Sequence, residues 1–121
     1  MKFDRATGDT KMKDIRTKKD FDAELAAGGE RLVLFYSGWC HFCSSFMPAL
    51  EKSAKGSPAV FIKLCVDDLP ALEEHFAVEV VPTVLFFKDG KLAKRLDGVL
   101  GRGLTEEKLA AFAESCGIKT A

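Results

Sequence analysis

The chain lacks a surplus of either charge: 18 basic residues balance 18 acidic ones over 121 positions. Phosphate backbones are neutralised by an excess of Lys and Arg, so nucleic acid is not an expected partner. Long apolar runs are absent too. None approaches the ~18–20 residues that a bilayer span needs, and no membrane is expected. Eleven of the first twenty residues are charged, which leaves no room for the roughly 7–15-residue apolar stretch of a signal peptide. A cytoplasmic location is the expectation that follows. Repeats and low-complexity segments are missing. Only four cysteines are present, and a reducing compartment disfavours permanent structural disulfides. Zinc usually takes four ligands, often as two Cys-x-x-Cys pairs. Only one such pair occurs here, and Cys65, Cys116, His41 and His75 show no finger-like spacing, so no metal is expected.

What is present is enough apolar material for one core. Hydrophobic residues make up 47% of the chain, which offsets the entropy of ordering a domain of this length. Residues 1–12 are polar and read as a flexible tail. Residues 13–121 read as a single domain.

Strand and helix patterns alternate along it. Lys13 to Thr17 suggests a short edge strand. Lys18 to Ala27 carries apolar residues at helical spacing and stops at Gly28-Gly29. Leu32 to Tyr36 is a continuous apolar run that suits a buried strand. A helix from Cys40 to about Lys55 follows, with Pro48 inside it as a kink. Ala59 to Val66 is a second buried strand and Leu69 to Phe76 a short helix led by Pro70, with Asp67-Asp68 as its cap region. Thr83 to Lys88 and Lys91 to Asp97 flank an Asp89-Gly90 hairpin turn. Thr105 to Cys116 is a last amphipathic helix. The order β-α-β-α-β-α-β-β-α predicts an α/β fold. Its central mixed, mostly parallel sheet ends in an antiparallel hairpin and has helices on both faces.

The chemistry sits at Trp39-Cys40-His41-Phe42-Cys43, where a predicted strand gives way to a predicted helix. A thiol at a helix N-terminus faces unpaired backbone N–H groups and the positive end of the helix dipole, and both favour the thiolate. The thiolate is the species that attacks a disulfide. Cys40 lies at the exposed start, as nucleophile. Cys43 lies one turn in, as the resolving thiol. The alternatives for the pair are half of a zinc site or plain apolar packing. Cys65, Cys116 and His75 read as packing or surface residues.

Trp39-Cys40-x-x-Cys43 resembles the active site of the thioredoxin family. The resemblance covers nearly all of residues 13–116. Pro48 resembles the kink proline of the active-site helix, and Lys63 falls where the family has a strand lysine beneath the dithiol. Val81-Pro82-Thr83 resembles the loop whose proline is cis. Phe87-Lys88-Asp89-Gly90-Lys91 resembles the terminal hairpin, and Gly98 the glycine of the substrate groove. The resemblance implies a thioredoxin fold and reduction of protein disulfides by dithiol exchange. It implies no cofactor beyond the redox-active Cys40–Cys43 pair, and a thioredoxin reductase or other dithiol donor as partner. No long exposed apolar stripe demands a dimer, so a monomer is expected. It further implies a peptide groove in which Trp39 walls the dithiol and Phe42, Val81, Pro82, Gly98 and Val99 extend the surface.

Two departures from the family pattern matter. His41-Phe42 replaces Gly-Pro. A protonated His41 beside Cys40 would favour the thiolate and make the protein more oxidising. The expected potential lies between about −270 and about −120 mV, nearer the reducing end. Leu34 stands where the family places a buried Asp that helps deprotonate the resolving cysteine. The proton on Cys43 must then leave through water, Lys63 or His41, and resolution is expected to be slower. That loss leaves room for a second function class, a non-catalytic module that binds a partner or senses oxidants. An oxidase or isomerase is a weaker third reading.

Overall fold

The computed structural model describes residues 12–55, 57 and 59–118. The tail expected over residues 1–11 and the last three positions lie outside them. Nine elements follow in the predicted order: β1 Met12–Ile15, α1 Lys18–Ala26, β2 Glu30–Tyr36, α2 His41–Lys55, β3 Val60–Cys65, α3 Pro70–His75, β4 Thr83–Lys88, β5 Lys91–Leu96 and α4 Glu106–Ser115. Met12, expected in the tail, is instead the first residue of β1 and pairs with Phe61.

The five described strands form one sheet in the order β1-β3-β2-β4-β5. β1 and β2 run parallel to β3, while β4 runs antiparallel to both β2 and β5. The sheet expected to be mostly parallel is therefore evenly mixed. The chain reverses at β4, the first strand of the hairpin, because α3 and its exit loop return the chain at the end of the sheet that β2 left from.

Side chains of a strand alternate between faces, and here both faces are covered. Leu32, Leu34, Phe61, Val84 and Phe86 point into a core closed by Phe46, Leu50 and Ala54 of α2 and Leu109, Phe112 and Ala113 of α4. Val33, Phe35, Ile62, Leu64, Leu85 and Phe87 point the other way, onto Phe21 of α1 and Leu72 of α3. That is why β2 and β4 read as unbroken apolar runs. On the second face Phe21, Phe35, Phe76 and Phe87 meet edge to face at centroid distances of 5.5–6.1 Å.

Local chemistry sets the ends of the elements. Thr17 and Thr105 accept the N–H of Asp20 and Lys108, each at 3.1 Å, and cap α1 and α4. Asp89 and Gly90 both have positive φ, 50° and 84°, as a two-residue turn matched to strand twist requires. The cap expected from Asp67-Asp68 does not form: Leu69 occupies the N-cap of α3 with no side-chain bond, and Pro70 starts the helix. No helix among the described residues is long and apolar enough to cross a membrane.

Candidate active site

β2 ends at Tyr36, three loop residues follow, and Cys40 precedes the first residue of α2. Cys40 donates its backbone N–H to the Ser37 carbonyl at 3.2 Å, and its own carbonyl accepts Ser44 N–H at 3.3 Å, which opens the helix. The Cys40 sulfur is half-buried and accepts the Cys43 backbone N–H at 3.1 Å. That N–H is one of the donors a helix start leaves unpaired. Pro48 lies inside α2 and has no N–H to offer the preceding turn.

Cys43 is only 2% exposed. Burial pushes its thiol up, its hydrogen bond to Cys40 pushes it further, and a hydrogen bond from the Ser37 backbone opposes both; the result is about 12. Both thiols are free. The pair thus holds a protonated donor beneath an accessible acceptor.

On its other side the Cys40 sulfur faces the Val81 carbonyl at 3.5 Å. The Val81–Pro82 peptide bond is cis. Thr83, fully buried, anchors this loop: its hydroxyl donates to the Val80 carbonyl and accepts Gly98 N–H at 3.1 Å. A Cβ at Gly98 would run into the Pro82 carbonyl oxygen, so only glycine lets the two backbones meet. Beyond it, Val99 bridges to Gly103. Gly103, at φ +71°, lies against Phe42, whose Cβ would be 2.7 Å from any side chain placed there.

Cys40, Cys43, Phe42, Val81, Pro82, Gly98 and Val99 are therefore linked through one surface. Trp39 is 92% exposed; it projects from the loop rather than packing as a wall. Leu100, 84% exposed, extends the patch and escaped the sequence reading, although the glycines around it mark a tight loop. Exposed His41 stacks edge to face on Phe42 at 6.1 Å.

Lys63 is separate. It pairs across the sheet with Leu34, which is fully buried, and its ammonium has no hydrogen-bond or ion-pair partner among the described residues. The face that carries the family's carboxylate is apolar here. Cys65, expected in the core, is half-exposed. Its thiol lies 3.6 Å from Asp67, which also binds Ser37 and Gly38. A cleft of about 290 Å³ opens beside Cys43 between Tyr36, Ser37, Gly38, Ser44 and Met47. A roomier one of about 470 Å³ lies on the far face, among Phe21, Leu72, Phe87 and Leu92, away from the thiols. Among the described residues no group of three or more His, Cys, Asp or Glu side chains is placed to hold a metal ion.

A dithiol at a helix start, set against a Val-Pro loop at the end of a mixed sheet, defines a protein of thiol–disulfide exchange. The family model for Thioredoxin matches residues 13–115, and the chain belongs to the thioredoxin family. It is 31% identical over 99 residues to a thioredoxin of Mycoplasmoides gallisepticum, covering 81% of this chain and 99% of that one. It is 35% identical over 98 residues to a thioredoxin of Gallus gallus, covering 78% and 93%. Among solved structures, the thioredoxin of Fasciola hepatica superposes with a TM-score of 0.77 at 29% identity, covering 86% of this chain and 98% of that one. The protein is a thiol–disulfide oxidoreductase, and its family implies protein disulfides as substrates and a reductase as partner.

Proposed function

We propose that the chain reduces protein disulfides with Cys40 as nucleophile and Cys43 as resolving thiol. One observation carries this assignment: the Cys40 sulfur accepts a helix-start N–H at 3.1 Å while Cys43 stays buried and protonated behind it. The Cys40 thiolate attacks one sulfur of the substrate disulfide. A mixed disulfide forms, and the other substrate sulfur leaves as a thiolate and takes a proton from water. Cys43 then loses its proton to solvent through the adjoining cleft, and its thiolate attacks the Cys40 sulfur. The second substrate thiol departs, leaving an internal Cys40–Cys43 disulfide. A thioredoxin reductase or another dithiol donor supplies two electrons to reopen it.

Trp39, Phe42, Val99 and Leu100 form the apolar rim on which an extended substrate segment rests. The backbone of Val81 and Gly98 lines its floor, and the Val81 carbonyl is the group a substrate strand pairs with. Among the described residues, four of the five large exposed apolar side chains belong to this rim, which supports a monomer that meets partners there. Four free thiols suit a reducing compartment, the cytoplasm.

The test is the rate of insulin-disulfide reduction by dithiothreitol, wild type beside Cys40→Ser. Rapid turnover in the wild type should fall to the uncatalysed rate in the variant. A wild type no faster than dithiothreitol alone sinks the reductase reading and favours the partner-binding module.

A further inference from the structure

Asp67 has no part in the exchange reaction above, yet its carboxylate gathers three donors at the loop that carries Cys40. Its Oδ2 accepts the Ser37 hydroxyl at 2.9 Å, the Gly38 N–H at 3.2 Å and the Cys65 thiol at 3.6 Å. The Ser37 oxygen, its proton committed to Asp67, in turn accepts Trp39 N–H at 3.3 Å. Ser37 bears on both halves of the dithiol. Its carbonyl accepts Cys40 N–H at 3.2 Å, and the Cys40 sulfur in turn accepts Cys43 N–H at 3.1 Å.

We propose that Asp67 is a positioning residue for the dithiol, holding Ser37 and Gly38 so that the Ser37 carbonyl stays registered on Cys40, and Cys40 on Cys43. The inference rests on the dithiol reading above. Two features make the tether necessary. Gly38 gives the loop a residue with wide backbone freedom, and the Asp67 bond to its N–H removes that freedom. Leu34 offers Cys43 no polar support from beneath. In the mixed disulfide the Cys40 sulfur must stay within reach of Cys43, and a Ser37 carbonyl that has drifted off Cys40 N–H no longer holds it there, so the second step slows. Asp67 acts through Ser37 rather than on sulfur. It is exposed, and its oxygen is already occupied by donors.

The experiment uses the full chain, reduced, mixed with an aromatic disulfide that releases one coloured thiolate on attack by Cys40 and a second on resolution by Cys43. Asp67→Ala should slow the second phase about tenfold from neutral to mildly alkaline pH, as expected for a lost charge-assisted bond. The first phase should change much less. Asp67→Asn keeps an acceptor oxygen for Ser37 and Gly38 and should stay within about twofold of the wild type. Ser37→Ala keeps the backbone but loses the tethering hydroxyl, and should fall between them. An unchanged second phase in Asp67→Ala overturns the proposal. So does equal slowing in Asp67→Asn, which would make charge rather than position the active property. Equal loss of both phases with a lowered melting temperature in Asp67→Ala would reduce its role to general stability and overturn it as well. A wild type that releases neither thiolate defeats the dithiol reading itself.

Discussion

At the scale of single residues, position 34 carries the largest consequence. Leu34 is fully buried and sits directly across from Lys63. Leu34→Asp places a carboxylate next to an ammonium that has no partner among the described residues, on the sheet face that α2 packs on. The variant should resolve mixed disulfides faster than the wild type. It should also lose about 2–3 kcal/mol of stability, since burying a carboxyl costs more than one half-buried partner returns. The second-phase rate and urea unfolding measure the two effects separately. The dithiol was legible in the sequence because its chemistry is encoded in local spacing. Asp67 was misread for the complementary reason. A carboxylate just before a proline-led helix is a local capping signal, but its partner Ser37 is 30 residues away. No local pattern reports that pairing.

Elements were legible in kind and order, since each is written in a period of two or 3.6, a cap or a turn. Their direction was not. Nothing in the β4 pattern distinguishes a parallel from an antiparallel neighbour, because both of its faces are buried. β1 was hard to see because two of its four residues are charged. An ion cluster holds it in place: Glu24 of α1 accepts Lys13 of β1 at 2.8 Å and Arg31 of β2 at 3.1 Å. Burial pushes the Glu24 carboxyl up, but the hydrogen bonds and charges of Lys13 and Arg31 outweigh it and leave it below its ordinary value. A carboxyl lowered on folding stabilises the protein above its unfolded pKa, and that contribution disappears as pH falls through the folded value. Glu24→Gln should therefore cost about 1 kcal/mol at neutral pH. The gap to the wild type should close as acid approaches the carboxylate range. Thermal melts at neutral and acid pH check this.

The whole molecule separates chemistry from much of its stability. α2, which bears the dithiol, packs on one face of the sheet, and the aromatic cluster around Phe21 lies on the other. Phe21→Ala should cost about 3–5 kcal/mol, a large share of what holds a domain of this size. The molecules that remain folded should reduce insulin at the wild-type rate. A loss of turnover disproportionate to the loss of folded protein, followed by circular dichroism, would show the two faces to be coupled. At this scale the fold class was legible because helical and strand patterns alternate without a break. The even mixing of the sheet emerged only once the strands were placed side by side.

Among the described residues, the outermost strands of that sheet bear on how such a protein survives its own substrates. β1 presents Lys13 and Asp14 along one border, and β5 presents Lys91, Lys94 and Arg95 along the other. Charged borders resist recruitment into intermolecular β-structure. A reductase that handles partly unfolded chains risks templating their aggregation whenever a bare strand meets an unpaired one. Here the lateral hydrogen-bonding rows of the described strands are guarded, and on the proposed reading a substrate strand pairs instead at Val81, beside the Cys40 sulfur. A client docked in that way would exchange electrons and leave without adding itself to the sheet.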